Sequence, residues 1–221
     1  MTPSLVLRLL RPHQWIKNSF VLIGVIFGHG WNDEVLLARV LALTAAFCAV
    51  SSAVYVLNDV FDREADRVHP DKRTRAVASG AVSVGAALSL ALLLAAAGLA
   101  AAWWVGPAAA ALACAYIGIN LAYSAGLKHI AILDVFLIAA GFMLRILAGT
   151  AGVGIEPSRW LLGCGLLLTL FLGFSKRRAE LAIIEVADAA MQRRSLAGYS
   201  LPLLDRLIAI CAAGAVIGYT F

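Results

Sequence analysis

"ALLLAAAGLAAAWWVGPAAAALACAYIGINLAY" occupies residues 91–123 and contains no charged side chain. The charge-free stretch reaches further in both directions, from Arg75 to Lys128. One helical bilayer crossing needs about 20 apolar residues, so this stretch is too long for one. The segment "WWVGP" (103–107) divides it, because Gly106 and Pro107 form a turn signal. Two membrane helices joined by a tight hairpin follow from that reading.

The rest of the chain has the same character. Of its 221 residues, 62% are hydrophobic and 14% charged, against about 25% charged in a soluble domain. Mean hydropathy is +0.89. Apolar spans are expected at 17–29, 35–57, 82–104, 107–123, 131–150, 160–174 and 203–221. The fold class is therefore all-α: a polytopic transmembrane helical bundle of about seven spans, forming one domain over 1–221. The final run "GAVIGYTF" stops inside an apolar segment, as expected for part of a longer chain. Gly24 and Gly28 make a G-x-x-x-G pair suited to close helix approach.

Net charge is +5, and its distribution sets topology. With the N-terminus inside, Arg8, Arg11, Lys17, Arg63, Arg67, Lys72, Arg73, Arg75, Lys128, Lys176, Arg177, Arg178, Arg193 and Arg194 fall on the inner side, while only Arg39 and Arg159 fall outside. That asymmetry is the positive-inside pattern, not a nucleic-acid footprint. Cys48, Cys114, Cys164 and Cys211 all lie in apolar spans without a C-x-x-C pair, so they read as small buried packing residues. The outer connections are short. The inner ones, about 58–81, 124–130 and 175–202, are longer and polar, so function concentrates on the cytoplasmic side.

The first inner segment reads "YVLNDVFDREADRVHPDKRTR", residues 55–75. Asn58, Asp62 and Asp66 are spaced i, i+4, i+8, with Asp59 three before Asp62, which puts them on one helix face. Carboxylates so close repel one another unless a cation neutralises them. Mg²⁺ suits the set, being a hard ion usually held by one or two carboxylates plus substrate phosphates. Lys72, Arg73 and Arg75 would then contact phosphate oxygens. The plainer reading is a solvated helix with Asp59–Arg63 and Asp62–Arg67 ion pairs.

In "NLAYSAGLKHIAILD", Tyr123, Lys128 and Asp134 mark the ends of two apolar spans. Lys128 reads either as a phosphate ligand or as a boundary lysine. Arg145 follows Asp134 by eleven residues on the same helix face, roughly 16 Å deeper. An arginine at that depth binds an anionic ligand or ties helices together. Lys176, Arg177 and Glu180 open the third inner segment, "SKRRAEL". Lys17, in "RPHQWIKN", is within reach of the same site, with Arg11 and Trp15 as anchors.

"NDVFDREAD" resembles the N-D-x-x-D-x-x-x-D pattern of the UbiA-type intramembrane prenyltransferases. The resemblance implies a ring of helices around a central cavity with Mg²⁺-diphosphate at its cytoplasmic mouth. The four segments "RPHQWIKN", 55–75, "NLAYSAGLKHIAILD" and "SKRRAEL" are similar to one branch, the decaprenyl-phosphate phosphoribosyltransferases. That likeness implies Mg²⁺-dependent transfer of 5-phosphoribose from phosphoribosyl pyrophosphate to a polyprenyl phosphate, for cell-wall arabinan precursors, at a bacterial inner membrane. It implies Asn58, Asp59, Asp62 and Asp66 as metal and pyrophosphate ligands, of which the three aspartates are catalytic. It places Tyr123, Lys128 and Asp134 in a sugar-phosphate pocket, with Lys128, Lys176 and Arg177 as added cations. It leaves room for a homo-oligomer.

The alternative on the same fold is prenyl transfer from an allylic diphosphate to an aromatic or other small acceptor. The absence of a second D-x-x-x-D in "KRRAELAIIEVADAAMQRR" argues against it. A transporter would place charged or broken helices near the bilayer midplane. Here only Arg145 lies deep.

Overall fold

The computed structural model describes residues 2–28, 30–184, 196 and 198–220. Arg193, Arg194 and much of the third inner segment lie outside the described residues. No strand occurs among those described. The helices are α1 (Pro3–Leu10), α2 (Ile23–Phe27), α3 (Glu34–Phe61), α4 (Arg63–Val68), α5 (Val84–Val105), α6 (Pro107–Ala125), α7 (Leu133–Ala148), α8 (Arg159–Ile184) and α9 (Leu201–Thr220). Six helical segments among the described residues are long and apolar enough to cross a membrane: Glu34–Phe61, Val84–Val105, Pro107–Ala125, Leu133–Val153, Arg159–Ala182 and Leu201–Thr220.

Local sequence sets their ends. The Asp33 side chain accepts from the Leu36 N–H at 3.0 Å and caps α3, while Ser83 does the same for α5 through Ala86. Such caps satisfy N–H groups that the first helical turn leaves without partners. α5 stops at Val105, Gly106 is extended, and α6 begins on Pro107. The hairpin expected at "WWVGP" is formed.

The count of seven spans is corrected at the N-terminus. The segment expected to cross at 17–29 is instead an eleven-residue 3-10 helix, Pro12–Leu22, followed by the short α2. Runs of 3-10 helix beyond three or four residues are uncommon, and side chains hold this one along α3. Trp15 Nε1 donates to Ser52 Oγ at 2.9 Å, and Ser52 Oγ donates to the Leu10 carbonyl at 2.8 Å. Asn18 is fully buried and donates to Ser51 Oγ at 3.2 Å. Lys17, Asn18 and Ser19 also interrupt the apolar run.

Contacts group the chain into two compact units: Met1–Leu121 with Leu144–Glu156, and Ala122–Met143 with Pro157–Phe221. In the first unit α3 packs most extensively on α5. Phe47, Val50 and Leu43 of α3 are fully buried there, and Phe47 meets Tyr116 of α6 edge to face with centroids 5.6 Å apart. Gly98 lets α5 approach, since a Cβ there would stand 2.6 Å from Val50 Cγ2 and 2.9 Å from the Ala46 carbonyl. Small residues at such crossings allow the dispersion contacts that hold membrane helices together. In the second unit α8 packs on α9 around Leu170, Phe174, Leu204 and Cys211. All four cysteines are free, but only Cys211 is buried, and Cys114 is exposed. The packing role expected of all four therefore fails at Cys114.

Arg145 is 3% exposed. Its Nε donates to Asn18 Oδ1 and its Nη2 to Tyr116 Oη, each at 2.8 Å, and its guanidinium lies 4.5 Å from the Tyr116 ring centroid. Of the two roles open to this residue, the structure supports tying helices together. Close by in sequence, Gly149 meets the 3-10 segment. A Cβ at Gly149 would fall 1.7 Å from the Val21 carbonyl oxygen, and one at Gly24 would fall 2.0 Å from the Gly149 carbonyl. Gly149→Ala is therefore expected to force backbone apart. The variant should lower the thermal unfolding midpoint in detergent, by about 1–3 kcal/mol of stability as for other overpacked sites. An unchanged midpoint would show that this contact yields.

Candidate functional site

The acidic helix end is built by a bend. α3 closes at Phe61, Asp62 takes φ −88° and ψ 3°, and α4 resumes at Arg63. The hydrogen-bond ladder continues through it: Asp62 N–H donates to the Asn58 carbonyl at 2.9 Å, and Asp66 N–H to that of Asp62 at 2.8 Å. Asn58, Asp62 and Asp66 thus stay on successive turns, as the spacing predicts.

The chain then folds back. Ala76, Val77 and Ala78 are buried, and the first two join Leu9 and Val56 in an apolar cluster. Arg67 Nε donates to the Ala78 carbonyl at 3.1 Å. This anchor carries the preceding residue, Arg75, onto the acidic helix. Arg75 Nη1 lies 3.2 Å from Asp59 Oδ1 and 2.7 Å from Asp66 Oδ2. Arg11 Nη2 donates to the same Asp59 oxygen at 2.5 Å. Both carboxylates are 3% exposed, so charge-assisted bonds offset their removal from water.

Two expectations change. Arg11, read as an anchor, belongs to the carboxylate network. It adopts φ 50°, ψ 60° at the junction of α1 and the 3-10 segment, a left-handed conformation that costs a non-glycine residue about 1–3 kcal/mol. The plainer ion pairs are absent: Arg63 and Arg67 both pair with Glu64, at 3.5 and 3.3 Å, rather than with Asp59 and Asp62. Lys17, Lys72 and Arg73 are exposed, while Asn58 and Asp62 are half-buried.

A second polar centre lies in the other unit. Asp134 is fully buried, and both its oxygens are taken. Arg177 Nε donates to Oδ2 at 2.7 Å, and Tyr199 Oη donates to Oδ1 at 2.7 Å. Arg177 Nη1 also donates to Glu180 Oε2 at 2.5 Å. The Ile132 N–H donates to Tyr199 Oη at 2.6 Å, with Ile132 at φ 69°. A β-branched residue in that region is an outlier, and the Tyr199 bond fixes it there. Asp134 and Arg177 therefore engage each other within this centre. Lys128 is buried on the 3-10 turn Leu127–His129, Tyr123 is half-buried near the end of α6, and Lys176 is exposed on α8. Tyr199 was not singled out from the sequence. A lone tyrosine in "AGYSLP" carries no spacing signal, and its partner is 65 residues away.

The family model of the UbiA prenyltransferase family matches residues 18–220. The chain belongs to the UbiA prenyltransferase family. It is thus a multi-pass membrane protein. Along 97% of its length it is 38% identical to the decaprenyl-phosphate phosphoribosyltransferase of Mycolicibacterium smegmatis, and along 96% it is 37% identical to that of Corynebacterium glutamicum. It spans 68% and 64% of those two proteins. A UbiA homologue from Archaeoglobus fulgidus, solved with GPP and Mg²⁺, superposes with a TM-score of 0.80 at 20% identity, covering 98% of this chain and 76% of that one. This last likeness shows the fold.

The donor set of this UbiA family member fits a hard divalent ion. Asn58, Asp59, Asp62 and Asp66 offer only oxygen among their acceptors, and Arg75 already sits as a cation between two of them. Among the described residues no group of three or more His, Cys, Asp or Glu side chains converges as a metal cage. Mg²⁺ commonly takes one or two carboxylates and completes its shell with water and phosphate.

Burial and the hydrogen bond to Asp134 raise the Tyr199 phenol above its ordinary value. The stability contributed by the neutral phenol is then fully present below about pH 10, the usual tyrosine value, and is lost as pH rises through the raised one. Tyr199→Phe should destabilise the second unit by about 1.5–3 kcal/mol, the range for a hydrogen bond to a charged group. Chemical unfolding in detergent with circular dichroism reads this. A variant as stable as the parent would make the Asp134–Arg177 pair self-sufficient.

Proposed function

We propose that this chain moves the 5-phosphoribosyl group of phosphoribosyl pyrophosphate onto a polyprenyl phosphate and releases pyrophosphate. The observation that carries this reading is whole-chain similarity to phosphoribosyltransferases, joined to an acidic helix end without a second D-x-x-x-D. An oxygen of the lipid phosphate attacks the anomeric carbon, the carbon–oxygen bond to pyrophosphate breaks, and the electron pair departs with pyrophosphate. The lipid phosphate is an anion near neutral pH, so no general base is required.

Asn58, Asp59, Asp62 and Asp66 would hold Mg²⁺ at the pyrophosphate. Mg²⁺ bound there would neutralise the charge that develops on the leaving group. Arg75 bridges Asp59 and Asp66, and Arg11 pairs with the same oxygen of Asp59. Lys72 and Arg73, on the exposed turn, contact phosphate oxygens. Lys128 and Lys176 are the cations for the ribose 5-phosphate, with Tyr123 beside the sugar. Asp134 and Arg177, with Glu180 bound to Arg177, hold the backbone that presents Lys128 and Lys176. Positioning and electrostatic stabilisation supply the rate. The site faces the cytoplasm of a bacterial inner membrane, with the N-terminus on the same side and Lys17 at the boundary.

The test uses purified protein in detergent with Mg²⁺, a polyprenyl phosphate and radiolabelled phosphoribosyl pyrophosphate. Label is expected in the lipid fraction and is expected to stay out of it with EDTA. Asp62→Asn should lower turnover by at least about a hundredfold while the protein remains folded, as for loss of a group acting on the leaving charge. If folded protein instead consumed an allylic diphosphate with an aromatic acceptor, the fold would stand and the donor would be wrong. Normal turnover by Asp62→Asn would remove this helix end from the chemistry.

A further inference from the structure

Arg8, Arg11, His13 and Arg75 line a cavity of about 620 Å³ whose wall also includes Asp59. The cavity belongs wholly to the first unit. Three guanidinium groups face one carboxylate in its lining, so the lining is cationic. Arg11 and Arg75 pair with Asp59, and Arg75 also with Asp66. Arg8 differs from both. Its Nη2 donates to the Thr74 carbonyl at 2.7 Å, and among the described residues no carboxylate pairs with it. A neutral carbonyl satisfies one N–H and leaves the full positive charge and further donors for a ligand.

One side of the cavity's rim is apolar and outward-facing. Leu9 in the lining is buried, whereas Leu7, which lines it beside Arg8, is 55% exposed, and Ile16 on the adjoining segment is 73% exposed. In a membrane protein such side chains face lipid. A cationic cavity with an apolar rim fits one chemical class of ligand, a phosphoryl head carried on an apolar body. Arginine suits this role because its planar donors match phosphate oxygens in pairs.

We infer that this cavity receives the phosphate of the polyprenyl phosphate acceptor, with Arg8 as its principal ligand and His13 beside it. The inference rests on the phosphoribosyltransferase reading for the identity of the lipid. It assigns the acceptor phosphate to a wall shared with Asp59, one of the carboxylates proposed for the pyrophosphate.

The experiment measures binding by the full chain in a neutral detergent, without turnover. Four probes are titrated: a polyprenyl phosphate, the matching polyprenol, phosphatidylglycerol and phosphoribosyl pyrophosphate. The wild-type protein should bind the polyprenyl phosphate at least about tenfold more tightly than the alcohol, the scale of one charge-assisted hydrogen bond. Arg8→Gln should erase most of that difference, Arg8→Lys should restore part of it, and affinity for phosphoribosyl pyrophosphate should not move. His13→Ala, at an exposed side chain, should weaken the same probe about threefold and serves if Arg8→Gln does not fold.

Unchanged lipid-phosphate binding in both variants would overturn the inference. So would a loss confined to phosphoribosyl pyrophosphate, which would make the cavity a donor site. Phosphatidylglycerol binding as tightly and falling equally would make it a site for any anionic lipid. If the wild type binds the lipid phosphate through Arg8 yet transfers no phosphoribose, the activity fails and the cavity assignment stands.

Discussion

Nη1 of Arg75 lies 3.2 Å from an oxygen of Asp59 and 2.7 Å from one of Asp66. Two buried carboxylates seven residues apart on adjoining helices α3 and α4 would repel each other in a medium of low dielectric. A single guanidinium between them turns repulsion into a three-point bridge. Much else follows. The 69–81 turn must fold back to deliver that nitrogen, and it does so by burying Ala76 and Val77 against Leu9 and Val56. Leu9 in turn fixes α1, which brings Arg11 to Asp59. The apolar cluster and the charged one are therefore built from the same segments, α1, the end of α3 and the 69–81 turn.

The two units meet the same constraint in different ways. Asp59 and Asp66 keep a share of their neighbours at the surface, with Arg75 only partly buried. Asp134 and Arg177 are sealed, and each finds its remaining partners within the protein, in Tyr199 and Glu180. Breaking one partner of a buried pair is far costlier than the pair's net contribution. Both arrangements are therefore costly to open, and the second is closed further by Tyr199 and Glu180.

Much of this was legible in the residues. Length and hydropathy located five of the crossings to within a few residues and the start of a sixth, α8, which runs past its expected end at 174 through the charged "SKRRAEL" to Ile184. "NDVFDREAD" announced its helical face through spacing alone. The first crossing was misread because side-chain bonds from Asn18 and Trp15 decide its winding, and hydropathy does not see hydrogen bonds. Arg11 was read as an anchor because its partner lies 48 residues away. Tyr199 was missed for the same reason. Local charge arithmetic also paired Arg63 and Arg67 with the wrong acids, since Glu64 was nearer on the real helix surface.

The 3-10 segment has a mechanical consequence. Eleven residues rising about 2.0 Å each extend roughly 5 Å further than the same residues wound at about 1.5 Å. Pro12–Leu22 is thus a stretched spring, clipped at Trp15 and Asn18 to one face of α3. Arg11 joins this coil to α1, which Leu9 holds in the apolar cluster, so the coil and α1 together set where that guanidinium stands over Asp59. Any change that unclips Trp15 or Asn18 would shorten the coil and draw the cation away from the carboxylate. The reach of Arg11 is therefore shared between the anchored helix before it and the winding of the residues that follow it.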